Sequence, residues 1–254
     1  MLAETIKPFF QELTAKSGAV IRPFFLNPKL AVEKKSDETP VTVADRQAER
    51  VLREHIREHY PKHGIMGEEY PDENPDAEFV WVLDPIDGTI SFTHGCPLFG
   101  TLICLLREGR PIAGAIHQPI LGYLLYGDGE HAVLNDQPVR MRETTVLSEA
   151  TLLTTDVQHV AEHQDRERFN KLVDSVKLFR TWGDCYGYFL LASGYADIMV
   201  DPIMKPWDLK ALIPIIQGAG GTITTWDGRD PLDGDSIVAS NRYIHGRVLE
   251  LLQV

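Results

Sequence analysis

The sequence predicts an α/β (α+β) fold, and three observations carry that prediction. An apolar run, Phe79-Val80-Trp81-Val82-Leu83, ends in Asp84-Pro85-Ile86-Asp87-Gly88-Thr89, as a buried strand does when its carboxyl end meets a ligand. Segments 99–107, 111–118 and 123–128 follow one another with short turns, an antiparallel pattern. Beyond residue 146 strand-like and helix-like stretches alternate, which is a mixed α/β layout.

Taken in order, residues 2–26 place Ile6, Phe9, Phe10, Leu13, Val20 and Phe24 at mostly helical spacing, with Pro23 near the end. Residues 30–43 look extended, broken at Thr39-Pro40. A helix is expected over 45–60, with Val51, Leu52 and Ile56 inward and Asp45 as N-cap. A short strand at 64–66 precedes Gly67-Glu68-Glu69 and an acidic loop to Glu78. Asn135-Asp136 reads as a hairpin turn. The polar run 140–149 marks a boundary between an N-terminal lobe, 1–145, and a C-terminal lobe, 146–254. The second lobe should hold strands at 151–155, 178–181, 196–200, 221–226 and 236–240. Helices are expected at 162–176, 184–194, 207–218 and 242–253.

Composition narrows the function. The 254 residues can bury a full core, and 37 acids against 25 bases give a formal charge of −12. That balance argues against nucleic acid or an anionic membrane as partner. A small phosphorylated metabolite stays compatible, because bound cations invert the local field. Cys96, Cys104 and Cys185 are sparse and odd in number, which fits a reducing compartment. Glu4, Lys7, Glu12 and Lys16 interrupt any signal-like apolar run, and no stretch approaches the roughly 18 residues of a membrane span. A cytoplasmic protein is expected.

Four acids recur where elements end: Glu68, Asp84, Asp87 and Asp208. Clustered carboxylates favour a hard cation with oxygen ligands, Mg²⁺ or Mn²⁺. Pro85 lacks an N–H and could turn the Ile86 carbonyl toward the same ion. Backbone N–H groups at Gly88 and Thr89 would face an anion if a helix begins there. Taken singly, each acid has a plainer explanation: solvated loop charge for Glu68, a turn for Asp84 and Asp87, a helix cap for Asp208. Two histidine pairs at i,i+4, His55/His59 and His159/His163, could suit zinc, but they lie among Glu and Arg and are expected to be solvated.

Gly67-Glu68-Glu69, then Asp84-Pro85-Ile86-Asp87-Gly88-Thr89 with Phe92, and Trp207-Asp208 before Ala219-Gly220-Gly221, together resemble the inositol monophosphatase family. The likeness runs from Val41-Thr42-Val43-Ala44-Asp45 to the C-terminal helix. It implies a layered α-β-α-β-α sandwich of the inositol monophosphatase and fructose-1,6-bisphosphatase type, and a homodimer. It implies that Glu68, Asp84, the Ile86 carbonyl, Asp87 and Asp208 hold two or three Mg²⁺ ions. It further implies that Asp87, Gly88 and Thr89 hold phosphate, that Glu68 and Thr89 activate a water, and that Asp45 supports them.

The segment Phe179-Arg180-Thr181-Trp182-Gly183-Asp184-Cys185-Tyr186 departs from the small Gly-Ser-Ala run of inositol monophosphatases and looks like the histidinol-phosphatase branch, as does Ser91-Phe92 before Gly95-Cys96-Pro97. Histidinol phosphate carries an ammonium and an imidazole, so Asp184, Asp201 and Trp182 are suitable partner types. Asp201 matches a substrate-contacting acid of the family, and Arg180 is a candidate contact to substrate or to a partner subunit. Hydrolysis of L-histidinol phosphate, a step of histidine biosynthesis, is therefore expected. An inositol-1-phosphate phosphatase, a 3′(2′),5′-bisphosphate nucleotidase and a non-catalytic metal-binding regulatory protein stay open.

Overall fold

The computed structural model describes residues 2–34 and 40–253. The chain opens with α1 (Leu2–Ile21), a 3-10 turn, and the short antiparallel pair β1 (Val32–Lys34) and β2 (Pro40–Thr42). The expected break at Thr39 lies outside the described residues. Then come α2 (Val43–His59), β3 (Gly64–Gly67), β4 (Phe79–Asp87), α3 (Thr89–Thr93), β5 (Gly100–Arg107), β6 (Arg110–Gln118), β7 (Tyr123–Gly127), β8 (Ala132–Leu134) and β9 (Gln137–Pro138). The later part holds β10 (Thr151–Leu153), α4 (Val157–His163), α5 (Arg166–Ser175), β11 (Leu178–Arg180), α6 (Asp184–Ala192), β12 (Ile198–Asp201), α7 (Pro206–Leu209), α8 (Leu212–Gly218), β13 (Gly221–Thr224), β14 (Ile237–Asn241) and α9 (His245–Gln253).

Strands β3 to β9 form one sheet in sequence order, and a second runs β11-β10-β12-β14-β13. The parity of β4 explains how layers form around the first sheet. Trp81 and Leu83 pack with Phe10 and Leu13 of α1 and Leu52 of α2. Val80 and Val82, on the other face, pack with Tyr188 and Leu191 of α6 and Ile215 of α8, which also meet Met199 and Ala239 of the second sheet. The far face of that sheet, through Leu152 and Val200, buries Phe169 of α5 and Val248 of α9. The result is an α-β-α-β-α sandwich. Because β4 is covered on both faces, it is apolar throughout rather than alternating.

The Asn135-Asp136 turn is present, both residues having positive φ (45° and 65°) as a two-residue hairpin of the primed kind requires. Three expectations need correction. The helix at 162–176 is two helices, because the Asp165 carboxylate accepts from the N–H groups of Glu167 and Arg168 and starts α5 afresh. The helix at 207–218 is likewise split into α7 and α8. Asp45 is not the N-cap of α2: Thr42 is, its hydroxyl accepting from Ala44 N–H at 3.1 Å. Asp45 sits in the first turn and accepts from Thr42 N–H at 2.8 Å, completing a capping box. Among the described residues no helix is long and apolar enough to cross a membrane.

Candidate active site

Residues three apart on a regular strand face opposite sides, so Asp84 and Asp87 should diverge. They do not, because the pairing slips between them. Asp84 opposes Leu102 of β5 while Asp87 opposes Gly100, so three steps on β4 meet two on β5. This bulge sends Ile86 to the cluster with Ala44, Phe92 and Phe99 and lets Asp87 face the side that Asp84 faces. Asp208, in the first turn of α7, comes in from the second lobe, its Oδ2 held by Lys205 N–H at 3.0 Å. One carboxylate oxygen each of Asp84, Asp87 and Asp208 then lie within 4.8 Å of one another. Glu68 follows β3, which runs parallel to β4. Its N–H donates to Leu83 O at 3.2 Å, and its carboxyl group meets that of Asp84.

Burial raises Asp84 and Asp87 well above the ordinary carboxylate range, and their acidic neighbours raise them further. Asp208 is pushed up to about 7, chiefly by burial, with the Lys205 N–H opposing and Glu68 adding to the rise. Such a group of acids stays ionised only if a cation enters. Every donor it offers is oxygen, which suits a hard divalent ion.

Beside the acids, Gly88 has φ 85°, and a Cβ there would sit 2.8 Å from Asp184 Oδ2, so only glycine fits. It leads into α3, whose five residues form barely more than one turn. The N–H of Thr89 therefore has no acceptor within that helix. Thr89 Oγ1 lies 3.1 Å from Ile86 O and 3.4 Å from Asp45 Oδ1. Asp45 is itself buried, and its other oxygen takes the Thr42 hydroxyl at 2.5 Å.

Asp87, Asp184, Asp201 and Asp208 all line one cavity of about 270 Å³. Asp184 starts α6 at a positive φ of 49°, its N–H on Thr155 Oγ1 (2.9 Å) and its Oδ2 taking the Ser91 hydroxyl (3.2 Å). A non-glycine residue held in that region is strained, as site residues often are. The next N–H, that of Cys185, donates to Asp87. Burial pushes Asp184 up to about 6. Asp201 lies in the wall, but both its oxygens are engaged, by Thr155 N–H (2.9 Å) and by the Tyr188 hydroxyl (2.8 Å). Arg180 is exposed at the end of β11, with Nη1 on Phe179 O, and is not in the cavity wall. Trp182 is 41% exposed and also outside the wall.

Sequence reasoning missed two groups. Thr155, Asp156 and Lys205 also line the cavity, joined by His159, which is exposed on α4 as expected. The loops after β10 and β12 bring in Thr155, Asp156 and Lys205, and no periodicity announces that. The second group braces Glu68. Glu49, fully buried on α2, accepts Glu69 N–H at 2.8 Å and pairs with Arg53 Nε at 2.8 Å. Arg53 donates to Tyr70 O, Pro71 O and Glu73, pinning the whole turn. A Cβ on Gly67 would lie 2.1 Å from Glu49, so the chain passes this pair only as glycine.

The family model for the inositol monophosphatase family matches residues 2–254. The chain belongs to that family. It is 40% identical to a histidinol-phosphatase of Chlorobaculum parvum over 233 residues, covering 91% of this chain and 90% of the other. It is 41% identical over 254 residues to a chloroplastic bifunctional phosphatase of Arabidopsis thaliana, covering 95% and 73%. Among solved structures, an inositol monophosphatase from Zymomonas mobilis superposes with a TM-score of 0.86 at 35% identity, with 96% of each chain covered. The protein is thus a phosphatase, a phosphoric monoester hydrolase of small phosphorylated metabolites, in a family that is generally metal-dependent.

Proposed function

We propose that this phosphatase hydrolyses L-histidinol phosphate to L-histidinol and phosphate with Mg²⁺ as cofactor and Mn²⁺ as a substitute. The observation that carries the reading is the acidic cavity that continues from the Asp84, Asp87 and Asp208 cluster. Asp156 and Asp184 line it together with His159, a wall suited to an ammonium and an imidazole rather than to a neutral polyol. The 40% identity to a histidinol-phosphatase supports the same choice.

Glu68, Asp84, Asp87, Asp208 and the Ile86 carbonyl are the groups that would hold two or three ions. Ile86 O already takes the Thr89 hydroxyl at 3.1 Å, and a carbonyl has a second lone pair to offer. When bound, the cations lower the pKa of the attacking water, neutralise phosphoryl charge and stabilise the leaving oxygen. The Gly88 and Thr89 N–H groups bind the phosphoryl oxygens beside Asp87. Thr89 has one hydroxyl proton for two acceptors; swung from Ile86 O to Asp45 Oδ1 it leaves its lone pairs for the water, and Glu68 accepts the proton as the water oxygen bonds to phosphorus. The P–O ester bond breaks and the departing alkoxide takes a proton from solvent. Asp45 acts through Thr89, held in turn by Thr42. Asp201 positions Tyr188 and the Thr155 turn, and through Thr155 the strained Asp184. A homodimer and a cytoplasmic setting complete the proposal.

The test compares kcat/KM for histidinol phosphate, inositol 1-phosphate and adenosine 3′,5′-bisphosphate under saturating Mg²⁺. Histidinol phosphate should lead. A preference for inositol phosphate would refute the substrate and keep the reaction, and turnover of none would refute the substrate and point to another phosphate monoester.

A further inference from the structure

The pair His55/His59, expected to be solvated, lies where α2 packs on α1. His55 is buried at 8% exposure, its ring stacked on Phe9 at 5.1 Å with planes 11° apart. Its Nε2 is 3.0 Å from Glu12 Oε2 across the helix contact. His59, one turn on, sets Nδ1 3.0 Å from His55 O. A carbonyl can only accept, so Nδ1 carries a proton, and in the neutral ring that metal binding selects Nε2 offers the lone pair. That second contact is the kind that orients a metal-binding imidazole. One nitrogen of each ring and one Glu12 oxygen all lie within 4.8 Å of one another.

We propose that Glu12, His55 and His59 form a zinc site that clamps α1 to α2, apart from the catalytic centre. Two imidazoles and one carboxylate suit Zn²⁺, and water takes the fourth place. The catalytic acids, by contrast, offer oxygen alone. With bonds of about 2.0–2.1 Å a tetrahedral site sets its ligand atoms about 3.3 Å apart. The Glu12–His55 pair is already closer than that, and the rest of the closure falls to His59 and Glu12, which are exposed. Ten residues of helix, about 15 Å, separate His55 from Asp45 on the same α2, so the two centres do not share ligands. The other pair, His159 and His163, has ring centroids 6.0 Å apart, and among the described residues no carboxylate completes a three-ligand group with it.

The experiment titrates Zn²⁺ against a chromogenic chelator in excess Mg²⁺, using the whole protein and its H59A, E12Q and H163A variants. His59 is exposed, so H59A should fold and keep its phosphatase activity. Wild type and H163A should bind one zinc more than H59A, or bind it at least about tenfold more tightly. E12Q should show the same weakening. Zinc should also raise the melting temperature of wild type and not that of H59A. Equal stoichiometry and affinity in wild type and H59A, or an equal loss in H163A, would overturn the site.

Discussion

Two groups of charge flank the turn that carries Glu68, one of them only partly buried, and they are built by opposite rules. On one side Glu49, Arg53, Arg57 and Glu73 alternate in sign, and every carboxylate has a guanidinium within 2.8 Å. There Glu73 is pulled down to about 2, first by its hydrogen bond to Arg57. On the other side Asp84, Asp87 and Asp208 face one another, and burial drives all three upward. The first arrangement is complete within the chain. The second is complete only with a cation, so the contrast separates a brace from a site.

The largest expected effect comes from the unbalanced side. D84N should lower kcat by at least about a hundredfold, since it removes one of the proposed metal ligands. Without metal the variant should melt no lower than wild type, because a repelling acid is gone. Steady-state kinetics and thermal melting in chelator check both halves.

On the balanced side the sign of the stability effect reverses. R53A leaves Glu49 buried and unpaired, and chemical denaturation should show a loss of about 3–5 kcal/mol. The turn after β3 would loosen with it, so kcat should fall as well. A variant that lost stability at unchanged kcat would show that the brace does not position Glu68.

A third contrast involves two histidines outside both groups. Burial lowers His117 to about 4, helped by Arg22, and burial alone lowers His245 to about 4. In the unfolded chain both titrate near 6.5, so the unfolded state binds more protons below that pH. Their contribution is therefore whole above pH 6.5 and is lost as pH falls toward 4. At pH 5 the loss is about 2 kcal/mol for each. Denaturation of wild type and H245N across pH 4–8 should show a flatter profile in the variant.

The smallest effect falls on the capping box. T42A should cost about 1 kcal/mol of stability. Because Thr42 also holds Asp45, its kcat should fall by more than so small a loss of stability would explain.

These residues also show what was legible in the sequence. The strand running into Asp84 and Asp87 could be read because an apolar run ending in acids is a local pattern. The bulge that brings the two together depends on pairing with β5; Pro85 marks a break in the ladder but not which faces the two acids take. Asp45 was singled out, but the capping role went to it rather than to Thr42, because Val43 and Ala44 carry no start signal. His55 looked solvated because its own helix is charged; only α1, with Phe9 and Glu12, buries it. The mixed α/β class followed from alternation along the chain and the layered sandwich from the family resemblance, whereas the cavity wall at Thr155, Asp156 and Lys205 comes from loops that tertiary packing places.

The central claim is that Asp84, Asp87 and Asp208 form a centre left incomplete until a divalent cation binds. Thermal melting of wild type and D84N during a Mg²⁺ titration tests it most directly. Wild type should start no higher than D84N and gain stability with added Mg²⁺, overtaking the variant, which should respond weakly. A wild-type melting temperature indifferent to Mg²⁺, or the same gain in D84N, would contradict it.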